Sequence, residues 1–363
     1  MVDVVLRCTT HRQGGVSISI RRISATTRQH NQAEDHPVPS RRLALAAIAA
    51  GLSPRLAQAQ VAWPDRPIRV VVPFAAGGNT DVMARSVAEQ MTARLGKPVV
   101  VEARPGGGGT IGTEAVARAA PDGYTALLAS GGTMVANPVL QARLPYDAEK
   151  DFRPVGLIAT VPLVLVAGPR QTSADWAQFL AAAKARPGTI SLATPGNGSV
   201  AHLTLELLQH VTSLQLTHVP YRGGGALVPD LLGGTVDCSL LELTTALPLH
   251  QSGQARILAL AARERVEPLP AIPTFIELGL PDFTALSFGG LMLPARTPDA
   301  VAEALRTALA GALAEPSVQA RLAGLGAKVS TAEEQTQAGF GAFLAAERVK
   351  ARQAAALAGL KPE

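Results

Sequence analysis

Cysteine is almost absent from this chain of 363 residues, which has two. Cys8 lies in an N-terminal segment read below as a leader, so the mature chain keeps only Cys238 and forms no internal disulfide. No cysteine follows the leader's apolar run, which argues against a lipid-anchored form. Histidine is sparse too: beyond the leader stand His202, His210, His218 and His250, none paired at short metal-ligand spacing, and no cysteine cluster offers a structural zinc site. Neither a metal nor a cofactor is expected. A basic surface is also missing. The formal charge is +5, but residues 1–59 hold eight arginines against Asp3, Glu34 and Asp35, leaving 25 basic and 25 acidic residues in the remainder. Nucleic acid therefore has no electrostatic claim as a partner.

The N-terminal excess of arginine has its own reading. Arg41 and Arg42 precede the apolar run Leu43 to Leu52, and Ala57, Gln58 and Ala59 precede Gln60, the order of a secretory signal too short to span a bilayer. Ser40-Arg41-Arg42 resembles a twin-arginine signal, but the following residues fit it poorly, so ordinary secretion is the expectation, with cleavage near Ala59/Gln60 and a periplasmic product. Residues 1–37 are long and polar for such a leader, and no second methionine precedes Met83. A start at Val38, read from a GTG codon, is expected instead.

What is abundant is apolar sequence punctuated by glycine and proline: 47% of residues are hydrophobic and 17% charged, enough for a large core in two domains. "IRVVVPF" reads as a strand and "NTDVMARSVAEQMTARLG" as a helix with Asn79 as cap and Gly96 at its end. "PVVVEA", the helical "TIGTEAVARAA" and the strand "YTALLAS" repeat the unit, which predicts an α/β protein with largely parallel sheets. Leu157 to Pro169 is a long apolar run suited to a strand crossing between domains, and Phe283 to Pro294 suits the return. Two crossings predict a discontinuous first lobe of residues 60–160 plus 285–363, a second lobe of 161–284, and a cleft between them. Near the end, Thr297 is expected to cap a helix beginning at Pro298, and Thr331 to Glu334 reads as a capping box for the last helix.

Two turns stand out. Phe74, Ala75, Ala76, Gly77, Gly78 and Asp81 lie between the first strand and its helix; Gly196, Asn197, Ser199 and His202 repeat that arrangement in the other lobe. A helix N-terminus carries unpaired N–H groups and about half a positive charge, and glycine lets a guest approach that backbone. Neither turn has the Gly-Lys-Ser/Thr of a phosphate loop, so a carboxylate is the fitting anion. Gly77→Val should then obstruct binding, sparing the fold if φ there is negative. Tyr221 and Arg222 end a further strand, where an arginine suits a second carboxylate. Gly107 to Gly112 matches G-x-G-x-x-G, but the next strand ends at Ser130 without the acidic residue a dinucleotide site needs. Ser199, His202 and Asp237 raise a hydrolase, yet Val200 and Ala201 follow the serine instead of the glycine pattern of a nucleophile elbow. His202 and Glu206 otherwise share a helix face opposite Val200, Leu203, Leu207 and Val211, and Cys238 reads as a buried small hydrophobe.

The ordered stretches "WPDRPIRVVVPFAAGGNTDVMAR", "GKPVVVEARPGGGGTIGTEAVARAAPDGYT", "LPYDAEKDFRPVGLIATVPLVLVAGP", "GNGSVAHL" and "VPYRGGGALVPDLLGGTVD" resemble the exported receptors of tripartite tricarboxylate transporters, the Bug family, from Trp63 to the C-terminus. The resemblance implies a two-lobed, type II-like periplasmic-binding fold that closes on a small organic acid. The loops Phe74 to Asp81 and Gly196 to His202 would hold its carboxylate, and Thr133 would line the same cleft. It implies a monomeric receptor without enzymatic activity that serves separate membrane subunits; a sensory adaptor for a histidine-kinase ectodomain is the alternative partner class. The chain departs from the family's pattern in three places. Val-Asp-Val-Met-Phe-Asp-Asn becomes "VDCSLLE", ending in Leu241 and Glu242, which alters a polar wall. Trp-Phe-Gly becomes Phe288, Gly289 and Gly290, which predicts a wider pocket. Glu-Asn-Arg-Pro becomes Glu102, Ala103, Arg104 and Pro105, a change assigned to packing.

Overall fold

The computed structural model describes residues 63–360; the expected leader, cleavage point and start position lie outside them. The chain runs β1 (Ile68–Val72), α1 (Asn79–Leu95), β2 (Val99–Ala103), α2 (Thr110–Ala117) and β3 (Thr125–Ser130), then a π-helical segment Gly132–Ala136 that leads into the long β4 (Phe152–Ala167). There follow α3 (Trp176–Ala185), β5 (Ser191–Thr194), α4 (Val200–Thr212), β6 (Thr217–Pro220), α5 (Gly224–Leu232), β7 (Cys238–Glu242), α6 (Leu243–Gln251) and β8 (Arg256–Leu260). The return is β9 (Leu286–Pro294), followed by α7 (Asp299–Leu313), α8 (Pro316–Gly324), β10 (Lys328–Val329) and α9 (Gln337–Leu357).

These strands form one curled sheet in the order β2-β1-β3-β9-β4-β7-β5-β6, with β10 and β8 also on β4. The sheet is mixed, which corrects the largely parallel expectation. β1 is parallel to β2 and β3, and β5 to β6 and β7, as strand–helix–strand units require. β4 and β9, however, run antiparallel to every strand they pair with. The reason lies in β4, whose 16 residues are apolar enough to serve two sheet halves in turn. Up to Pro162 it pairs with β9; from Leu163 on it pairs with β7 and β8. Pro162, which has no N–H to donate, stands where the partners change. Leu163 N–H then donates to the Ala285 carbonyl at 3.0 Å, and Ala285 N–H donates to the Ala261 carbonyl at 2.9 Å, where the chain returns. Two lobes result, one around β1–β3 and one around β5–β8.

Several helix ends differ from expectation. The cap of α1 is Gly78, not Asn79, and the cap of α7 is Pro298, one residue past Thr297. Gly96 does end α1 in the left-handed conformation. Thr331 and Glu334 exchange the two bonds of a capping box, but around a separate turn; the last helix is capped by Thr336, whose hydroxyl accepts from Gly339 N–H at 2.9 Å. On α4 the buried residues are Ala201, Leu203, Thr204, Leu205 and Leu208, whereas Val211 is 46% exposed. The helix packs Leu205 and Leu208 into its own lobe and Leu203 into the core of the other, so its buried face is turned from the predicted stripe.

Candidate functional site

The carboxyl ends of β1, β3, β5 and β7 all reach the cleft between the lobes, the side of an open α/β sheet where ligands settle. A small cavity of about 20 Å³ lies there. From the first lobe it is lined by Phe74, Gly78, Asn79 and Thr80, and by Ser130 and Gly132 after β3; from the second by Ser199, Val200, Gly224 and Glu242. Ser287 of β9 forms the floor with them. The first residues or caps of four helices, α1, α4, α5 and α6, thus meet at one small space.

Within the first turn the donors are divided. Asp81 accepts from Gly77 N–H at 3.0 Å and from Arg85 Nε at 2.9 Å, so it folds the turn instead of facing the cavity. Gly77 has φ +81, a left-handed backbone that glycine suits. The condition on which Gly77→Val would spare the fold, a negative φ, is not met, so that substitution strains the fold. Ala75 N–H donates across the cleft to the Arg222 carbonyl at 2.9 Å. What the turn offers the cavity is Gly78 and the first turn of α1, whose N–H groups have no partner within the helix. Asn79, 3% exposed, accepts at Oδ1 from the Thr244 hydroxyl at 2.8 Å, and its Nδ2 is a buried donor without a partner. An unpaired buried amide costs about 1–3 kcal/mol, which a bound acceptor removes.

The second turn is shared between two spaces. The Ser199 hydroxyl caps α4, accepting from His202 N–H at 3.1 Å, and lines the cavity. Asn197, His202, Tyr221 and Arg222 instead line a wider open groove of about 700 Å³ beside it, with Gly107 and Gly108 opposite. Arg222 is exposed, and its backbone carbonyl, not its guanidinium, makes the contact between lobes. Tyr221 donates to Asp230 at 2.6 Å; burial and that bond push its pKa up to about 12. His202 and His218 stack with ring centres 4.5 Å apart. Burial and the neighbouring His202 press His218 down to about 4. Thr133 is fully buried and bonds back to Ser130, so it supports the wall that Ser130 and Gly132 form.

The enzyme and nucleotide alternatives lose their geometry. Asp237 accepts from the Ser191 N–H and hydroxyl at 2.8 and 2.7 Å and pairs with Arg170 at 3.3 Å, leaving no relay through His202. Cys238 is buried, and burial beside Asp237 pushes its thiol up, so it stays protonated. The glycines after β2 are packed by the protein itself: a Cβ at Gly108 would overlap the Asn197 carbonyl oxygen, and one at Gly112 would stand 2.7 Å from the Arg104 carbonyl oxygen. The positions of Gly289 and Gly290 are filled in the same way by Met83 and the Phe340 ring, which corrects the expectation of a wider pocket. Leu241 enters the core beside Leu227 and Leu231, whereas Glu242 faces the cavity. Sequence reading missed Asn79, Ser130, Gly132, Gly224 and Ser287 as cavity wall. Ser130 and Gly224 had the same signal as the two chosen turns, a strand ending in glycine; Ser287, in mid-strand, had none.

A mixed sheet curled over two lobes, with helix N-termini meeting in the cleft, is the architecture of a two-lobed solute-binding protein. The chain belongs to the tripartite tricarboxylate transporter family receptors, whose family model matches residues 83–354. Protein BugT of Bordetella pertussis is 39% identical over 279 residues, covering 77% of this chain and 86% of BugT. The structure of the periplasmic binding protein BugD is 36% identical with a TM-score of 0.80, covering 83% of this chain and all of that one (100%). MatC from Rhodopseudomonas palustris, solved with bound malate, is 33% identical with a TM-score of 0.78, covering 80% of this chain and 99% of MatC.

Proposed function

We propose that this protein is an exported receptor that captures a small organic acid by its carboxylate and hands it to a tripartite tricarboxylate-type membrane transporter. The observation that carries this reading is the convergence of helix N-termini and the unpartnered Asn79 amide on a cavity lined by no lysine or arginine. A singly charged carboxylate matches that supply of partial charges. Charge-assisted hydrogen bonds contribute about 1.5–3 kcal/mol each, so three or four, less the cost of desolvation and closure, reach the roughly 8 kcal/mol of a micromolar complex. Malate bound to the similar MatC supports the same ligand class.

The lobes we assign are 60–160 with 285–363, and 161–284; the exchange of β4 partners at Pro162 and the return at Ala285 support them. The space of about 20 Å³ holds little more than one water, so an acid enters only when the lobes part. Closure then reports occupancy to the membrane partner. Among the described residues no helix is long and apolar enough to cross a membrane, and the proposed receptor would rely on separate membrane subunits for transport. Native mass spectrometry of the purified protein for a co-purified acid, followed by thermal shifts with a panel of carboxylates, tests the reading. Failure of every acid to raise the melting temperature would refute it. Pull-down from membranes should recover transporter subunits; recovery of a sensor ectodomain alone would refute the transport role.

A further inference from the structure

Glu242 is the one ionisable side chain among the residues that line the cavity. It stands at the end of β7 and at the N-cap position of α6, yet its side chain makes no capping bond to the helix. Among the described residues no lysine, arginine or histidine forms an ion pair with it. The neighbouring Ser287 hydroxyl and the backbone at Glu242 favour its charged form, but burial outweighs both and holds the carboxyl above its ordinary range. A carboxylate has about four acceptor sites, so this one is left with capacity and without a counter-charge. Two residues further on, Thr244 fixes the Asn79 carbonyl and so leaves the Asn79 NH2 as a donor.

The cavity is therefore polarised. Donors come from α1, α4, α5 and Asn79, while the charged acceptor comes from the end of β7. The molecule complementary to that pattern has an anionic and a cationic end. We propose that Glu242 determines specificity by receiving an ammonium group of the guest, so that the preferred cargo is a small acid that also carries an amino group, not a plain dicarboxylate. The inference rests on the receptor reading above and narrows it. A plain dicarboxylate has no group to offer Glu242 except a second negative charge, and at this half-buried position the repulsion is stronger than in bulk water. An ammonium group supplies the missing counter-charge and hydrogen-bonds to the remaining lone pairs.

Calorimetry with the mature protein, freed of co-purified cargo, at pH 7 tests this with matched pairs: common amino acids, including 4-aminobutyrate, each beside the same acid lacking the amino group. At least one amino acid should bind tenfold or more tightly than its deaminated partner. Glu242→Gln, nearly isosteric, should lose at least tenfold for that amino acid while holding or improving affinity for the deaminated acid; Glu242→Asn should do the same. Both variants should melt near the wild-type temperature, which separates lost recognition from lost fold. Plain acids binding as well as or better than every amino partner would overturn the proposal, as would a preference unchanged in Glu242→Gln. So would dicarboxylate binding with uptake of one proton that Glu242→Gln abolishes, because Glu242 would then act as an acid. Those results leave the receptor reading standing; no binding by any acid of either kind removes both.

Discussion

Asn79 shows how one side chain can serve fold and function unequally. Its carbonyl ties α1 to Thr244 in the other lobe, and its amide is left for a guest. Asn79→Ala should weaken carboxylate binding by tenfold or more, the loss of one hydrogen bond to a charged group, as measured by calorimetry. Its melting temperature should change little, because the stranded Thr244 hydroxyl and the removed unpaired amide offset one another. His218 allows a test by pH. Its folded pKa, about 4, lies below the ordinary 6.5 of histidine, so between those values the unfolded chain binds the proton that the folded one refuses. That contribution to stability is complete above pH 6.5 and is lost as pH falls toward 4. His218→Gln should show a shallower fall in melting temperature over this window than wild type. Asn79 could be read from sequence as a helix-start residue, but not as a ligand donor: its carbonyl partner comes from α6, far along the chain.

Part of the contact between the lobes is bare backbone. A Cβ at Gly225, near the start of α5, would overlap the Ala76 carbonyl oxygen, and one at Gly223 would stand 2.8 Å from Ala75 N. Gly225 has ordinary helical geometry, so Gly225→Ala should leave folding intact or improve it by up to about 1 kcal/mol through helix propensity. The same variant should bind any carboxylate ligand at least tenfold more weakly, because the added methyl holds the lobes apart; equal affinity in calorimetry would count against closure by backbone contact. At the other end of the chain, Thr336→Ala should cost about 1 kcal/mol in denaturant unfolding, whereas the same change at Thr331, around a surface turn, should cost less. Strand and helix identities were legible from apolar runs and glycine stops. Helix caps were less so, since Thr331 with Glu334 carries the stronger local signal, yet the last helix starts after Thr336.

For the whole molecule, ligand capture and lobe closure are one equilibrium. Small-angle scattering should show a smaller radius of gyration when a bound acid favours the closed form, and no such change in Gly225→Ala. The sequence by itself determined the order of strand, turn and helix, the long apolar run that became β4, and glycine turns without a lysine. These are local properties, fixed by period, turn chemistry and composition. Only the tertiary structure decided which donors face the guest. Gly77 and Ala75 spend their N–H groups on Asp81 and Arg222, while Gly224 at the start of α5 and Ser287 of β9 reach the same cavity from distant parts of the chain. It also turned β4 and β9 antiparallel to their neighbours and set Glu242 in the cavity with Leu241 in the core. The physical reason is that hydrogen bonds and burial across a cleft join residues far apart in the chain, and neither leaves a periodic mark in the sequence.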